Sequence, residues 1–166
     1  MKRILFTLLI LSSVSLVQAQ TSTGSPVGNY SGNGSGLRFG ISVNPGLSLG
    51  SRSGDFVLSG ELGLYKNLTP RLEATFSAGL TQFFYGEHNE NGKYIPIKAG
   101  ARYALNTQFY VGANAGVTIS TTDGGAYFVY SPMLGLMLNK HFDVALKYDH
   151  SSTESAVVGL NLTYKF

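Results

Sequence analysis

The sequence predicts an all-β protein, an eight-stranded antiparallel up-and-down transmembrane β-barrel spanning residues 37–166. Three observations predict it. Apolar residues return at period two in eight successive segments, which is strand periodicity. The connections between those segments alternate between short and long. Beyond the first twenty residues, no run offers the roughly 20 apolar residues of a spanning helix. Yet only 13% of the chain is charged and 43% is hydrophobic, against about 25% charge in an ordinary soluble domain.

The elements follow in order. Lys2 and Arg3, an apolar run from Ile4 to Leu11, and the small-residue site Val17-Gln18-Ala19 have the build of a secretory signal peptide over residues 1–19. A retained membrane anchor is the alternative, and the apolar run is short for it. Removing Lys2 and Arg3 takes the formal charge from +3 to +1, so the basic balance gives no support for a nucleic-acid partner. Cysteine is absent, which excludes a disulfide scaffold. Residues 20–36 contain TSTGSPVGNYSGNGSG, too poor in apolar groups to fold alone, and read as a flexible periplasmic arm.

The barrel segments come next. The apolar parity runs through Leu37, Phe39, Ile41 and Val43 in the first segment, then Phe56, Leu58, Leu62 and Leu64 in the second. Leu72, Phe76 and Leu80 mark the third, and Ile95, Ile97, Ala99 and Tyr103 the fourth. Phe109, Val111, Val117 and Ile119 carry the fifth, and Phe128, Tyr130, Pro132 and Leu134 the sixth. Phe142, Val144, Leu146 and Tyr148 mark the seventh, and Val158, Leu160, Leu162, Tyr164 and Phe166 the eighth. The short connections are Lys66 to Pro70, Leu105-Asn106-Thr107 and Asn139-Lys140, with Asn and Pro as turn formers. The longer ones are Leu49 to Asp55, Gly86 to Lys93, Ser120 to Gly125 and His150 to Ser155. Short periplasmic turns with longer outer loops place both termini in the periplasm.

The opposite parity carries all nine charges of these segments: Arg38, Glu61, Glu73, Lys98, Arg102, Asp143, Lys147, Asp149 and Lys165. Eight strands enclose only enough room for side chains, so these groups predict a paired charge network filling the lumen. Glycines on the same parity, such as Gly40, Gly63, Gly79 and Gly135, relieve crowding there. A conducting pore is the alternative, and so little space speaks against it. Aromatic residues near the segment ends, among them Phe56, Tyr103, Phe128 and Tyr164, predict two interfacial girdles. In a soluble sandwich the same rings would be core.

The eighth segment, Val158 to Phe166, ends on an aromatic with Tyr164 two positions earlier. Leu162, Tyr164 and Phe166 resemble the terminal β-signal by which outer-membrane barrels are recognised for insertion. Phe142 to Tyr148 is similar to the penultimate strand of small OmpX/OmpA-type barrels, within a porin-like superfamily. That resemblance implies the bacterial outer membrane as location, with its lipid and the barrel-assembly machinery as partners.

One constellation carries chemistry. His150, Ser152 and Glu154 share the lipid-facing parity at the outer end of the seventh segment, and a His beside a Ser can activate a hydroxyl for acyl transfer. His150-Ser151-Ser152 resembles the His-x-Ser of PagL-type lipid A deacylases, which implies His150 as base and Ser152 as nucleophile. No Asn follows Ser152, Glu154 lies nearer than that family's acidic partner, and residues two apart on a strand are about 6.6 Å apart. The set therefore reads as a polar outer loop. His88 and His141 have no comparable company, and neither a metal spacing nor a cofactor motif is present.

The function expected is a non-enzymatic integral outer-membrane barrel with a structural or surface-contact role through its extracellular loops. A lipid A deacylase-like enzyme using His150 and Ser152 is the second expectation. A lipocalin-like soluble carrier is the third, although a carrier needs an apolar interior and here the polar parity holds glycines and charges.

Overall fold

The computed structural model describes residues 36–49, 55–84, 92–122, 124–152 and 156–166. The signal peptide (1–19), nearly all of the arm (20–36), His88 and Glu154 lie outside these. Eight strands form: β1 (Leu37–Leu49), β2 (Phe56–Asn67), β3 (Leu72–Phe84), β4 (Lys93–Ala104), β5 (Phe109–Ser120), β6 (Ala126–Met137), β7 (Phe142–Ser151) and β8 (Ala156–Lys165). Each pairs antiparallel with its neighbour in sequence, and β8 returns to β1 to close the barrel.

Closure is staggered. Paired residues run from Phe39 through Leu64, Phe76, Ala99, Ala115, Tyr130, His150 and Ala156 to Leu49. One circuit therefore returns to β1 ten residues further on, at 49 instead of 39, which is the offset that tilted strands require.

Alternation decides which side chains meet lipid. Glu61 is 5% exposed and its neighbour Leu62 is 67% exposed, a contrast that only a barrel with an apolar exterior makes favourable. Leu80, Leu134, Leu146 and Leu160 stand on the same outer surface. Phe56, Tyr103, Phe109, Phe128, Tyr130 and Tyr164 lie exposed near strand ends, where interfacial aromatics belong. The lipocalin-like expectation is overturned here, because the polar face points inward.

The three short turns share one construction. Leu68-Thr69, Leu105-Asn106 and Leu138-Asn139 each precede two residues and then Leu72, Phe109 or Phe142. Thr69 Oγ1 accepts from the amides of Arg71 and Leu72, Asn106 Oδ1 from Gln108 and Phe109, and Asn139 Oδ1 from His141 and Phe142. The side chain satisfies amides that the ladder cannot reach. Asn139→Ala is expected to cost about 1 kcal/mol, read as a lower urea midpoint for the folded barrel.

At the other end the strands run further than the alternation suggested. β1 continues through Pro45-Gly46 to Leu49, β3 reaches Phe84, and β4 starts at Lys93. His150 and Ser151 belong to β7 and not to the connection after it. Pairing persists beyond the regular strands: Ser48 N donates to Asp55 O at 2.9 Å and Phe83 N to Gly92 O at 2.9 Å.

Three strand prolines mark gaps in the ladder. The β1–β8 register passes from Val43↔Leu162 to Gly46↔Gly159 around Pro45. The β3–β4 register passes from Ala78↔Ile97 to Thr81↔Tyr94 around Pro96. The β6–β7 register passes from Tyr130↔His150 to Met133↔Lys147 around Pro132. Proline has no N–H to donate, so each of these ladders breaks at it.

Candidate functional site

Alternation sends every inward charge into a lumen that water reaches poorly, and register decides who meets whom. The nine expected charges form two clusters. Near the short turns, Glu73 lies 2.5 Å from Arg38 and 2.9 Å from Lys165, while Asp143 lies 3.1 Å from Arg102 and 3.1 Å from Lys165. Arg102 also comes within 3.9 Å of Glu73. Toward the loops, Glu61 accepts from Lys98 at 2.9 Å and Lys147 at 3.0 Å, and Asp149 lies 3.1 Å from Lys147 and 3.7 Å from Lys98. The upper cluster balances two cations with two anions. The lower one has three cations for two anions.

Neutral side chains extend both. Asn44 Nδ2 and Ser77 Oγ donate to Glu61 at 3.1 and 2.8 Å. Asn161 Nδ2 donates to Asn44 Oδ1, and Thr163 to Asn161 at 2.8 Å. Tyr110 Oη donates to Asp143 at 3.0 Å. The Arg102 guanidinium lies 4.9 Å from the Tyr65 ring and 5.0 Å from the Tyr110 ring, and the Lys165 ammonium 4.6 Å from Tyr65, so cation–π attraction adds to the ion pairs. Burying charge is costly, and opposite charges within reach make it tolerable.

Tyr65 and Tyr110 escaped the sequence reading as members of this cluster. Their signal was present: each is a large ring on the inward parity beside inward glycines. A Cβ at Gly63 would stand 2.6 Å from Tyr65 Oη, and one at Gly135 would overlap the Tyr110 ring. The glycines make the space those rings fill. Gly135→Ala is expected to cost about 1–3 kcal/mol through overpacking, seen as a lower unfolding midpoint, with no such loss for Gly60→Ala, whose Cβ meets nothing within 4 Å.

The lumen is therefore filled at its turn end and hollow at its loop end. Between the clusters lies a cavity of about 10 Å³, at the limit for one water. Above the upper cluster opens a cavity of about 80 Å³, floored by Lys98, Lys147 and Asp149 and walled by Val57, Phe83, Tyr94, Pro96 and Val129. Its size follows from short inward side chains at that level, Ser48, Ser59, Thr81 and Thr118.

Of the other expected site, His150 and Ser152 are among the described residues and Glu154 is not. His150 stands half-buried on the outer surface, its ring 5.1 Å from that of Tyr130 and 6.2 Å from that of Tyr148, with Tyr148 Oη 3.5 Å from Nδ1. Ser152 is exposed in the turn beyond β7, its amide donating to Phe128 O at 2.9 Å. The two tyrosine rings pack against the imidazole from β6 and from its own strand. Leu162, Tyr164 and Phe166 lie on the outer surface of the closing strand. Tyr164 packs edge-on to Phe166 at 5.2 Å and stacks on His141 at 5.9 Å. Among the described residues no group of three metal-ligating side chains converges.

No family model and no curated protein matches the sequence. Solved structures do match the fold. A de novo designed transmembrane β-barrel superposes with a TM-score of 0.56 at 13% identity, covering 78% of this chain and 95% of that one. The fold is that of the small outer-membrane barrels. Ail, the attachment invasion locus protein of Yersinia pestis and an outer membrane protein, matches with a TM-score of 0.55 at 14% identity over 78% of this chain and 97% of its own. Neisserial surface protein A matches with a TM-score of 0.51 at 14% identity over 78% and 97%. Its closed ladder leaves no open sheet edge, and its exterior is apolar, as a bilayer requires of a spanning sheet.

Proposed function

We propose that the chain is a non-enzymatic integral β-barrel of a bacterial outer membrane, acting as a structural element and as a surface contact through its extracellular loops. The observation that carries the proposal is the pairing of a lipid-facing apolar exterior with a lumen closed by two ion-pair clusters. Such a body anchors its loops at the surface of a bilayer and leaves no continuous passage for solutes. The surface-contact part draws on the fold shared with Ail, an attachment invasion locus protein. Residues 1–19 serve as the cleaved export signal and 20–36 as the periplasmic arm. Leu162, Tyr164 and Phe166, displayed together on the closing strand, serve as the signal for barrel assembly.

Topology tests the proposal. The chain contains no cysteine, so single cysteines report position cleanly. Placed at Glu90, Asp123 or Ser152, they should react with an impermeant maleimide on intact cells. At Asn67, Asn106 or Asn139 they should react only after the outer membrane is opened. Labelling of the second set on intact cells would overturn the orientation, and with it the role of the loops. The absence of catalysis is tested separately: purified barrel should release no fatty acid from lipid A, and Ser152→Ala should change nothing.

A further inference from the structure

We propose that the loop-end cavity is a binding cup for a neutral sugar, taking one pyranose ring between an aromatic wall and the Asp149 carboxylate. This goes beyond the role assigned to the loops, since the ligand would sit inside the barrel wall.

The shape comes first. About 80 Å³ of space compares with about 10–15 Å³ for a single water by the same measure, so the cup holds several waters or one small ring. It is blind, because the Glu61 and Glu73 clusters close the lumen beneath it. A ligand therefore has no route from the turn end.

Chemistry selects the class. On one wall Phe83 and Tyr94 stand edge to face at 5.3 Å, offering flat apolar surface from β3 and β4. Across the barrel, β7 presents Asp149. Its Oδ2 is held by Lys147 at 3.1 Å, while Oδ1 is buried without a hydrogen-bond donor, its nearest cation being Lys98 at 3.7 Å. A buried acceptor left open calls for a donor. The donor should be uncharged, because Lys98 and Lys147 already neutralise Glu61 and Asp149. An added ammonium would be repelled by the two lysines and an added anion by the two carboxylates. A pyranose meets all the conditions: its hydroxyls donate to Oδ1 and exchange hydrogen bonds with Ser48 and Thr118, and its C–H face packs on an aromatic ring.

The sugar could arrive free or as the end of a surface glycan, and the test separates the two. The folded full-length barrel is prepared in a phosphocholine detergent, which avoids sugar head groups, and followed by amide NMR. Titration with D-glucose should shift the amides of Tyr94, Thr118 and Asp149 saturably, with dextran as the arm for a glycan end. Choline and inorganic phosphate should leave them in place. Thr118→Trp fills the cup and should abolish the shifts. Asp149→Ala should weaken binding about tenfold or more, the loss expected for one hydrogen bond to a charged group. A gel shift on boiling shows that each variant is folded. The proposal is overturned by absence of saturable shifts with both sugars, by equal response to choline or phosphate, or by glucose shifts that survive in folded Thr118→Trp.

Discussion

Glu61→Ala is expected to lower the stability of the folded barrel by about 3–5 kcal/mol, the range for removing one partner from a buried ion-pair group. Four donors converge on that carboxylate: Asn44, Ser77, Lys98 and Lys147. Without it, two buried lysines face the single carboxylate of Asp149. Glu61→Gln, which keeps the shape and an acceptor, should lose less than the alanine variant. Urea unfolding of the barrel reconstituted in lipid vesicles measures both. Glu73→Ala should be comparably severe, since Arg38 then loses the carboxylate it pairs with, and Arg102 and Lys165 are left to share Asp143. The two clusters share no member, so the double variant should be near the sum of the singles. A Glu61→Ala barrel unfolding at the parent's urea concentration would mean that the lysines find water in place of their partner.

The second large effect lies on the other side of the wall. Ala113 sits midway along β5, pairs with Ala101 and Pro132, and faces outward. Ala113→Arg should cost about 2–4 kcal/mol, the penalty for a guanidinium near the bilayer midplane. Ala113→Leu should be close to neutral, because lipid accommodates the added bulk. Leu160→Arg, on the outer surface of β8, should behave like Ala113→Arg. Equal stability of the Arg and Leu variants would show that this surface does not meet hydrocarbon.

Which of these features could be read in the sequence depended on their range. Facing was legible, because parity is a property of neighbours: Glu61 and Leu62 differ in exposure as adjacent side chains on a pleat must. The short turns were legible too, since Asn106 and Asn139 act on amides two and three residues away. Strand ends were not. Pro45-Gly46 looks like a turn, yet β2 holds it in the sheet through Pro45↔Leu58 and Gly46↔Val57, a contact no local pattern contains. Partner choice was also hidden, because Lys147 and Glu61 are 86 positions apart and meet only once the register is fixed. The cup is the clearest case. It is space, and its trace was a set of short inward side chains, Ser48, Ser59, Thr81 and Thr118, on four strands.

The seam between β1 and β8 has a consequence for how such a barrel comes into being. Gly40 pairs with Lys165, almost the full length of the sheet-forming chain apart, and joining such distant segments is the slowest kind of contact to make. Until β8 arrives, the other seven strands are a curved sheet with two unpaired edges, each ready to recruit whatever strand is nearest. A chain lacking β8 is then a sticky fragment and not a smaller barrel. Completion is all-or-none in the number of strands.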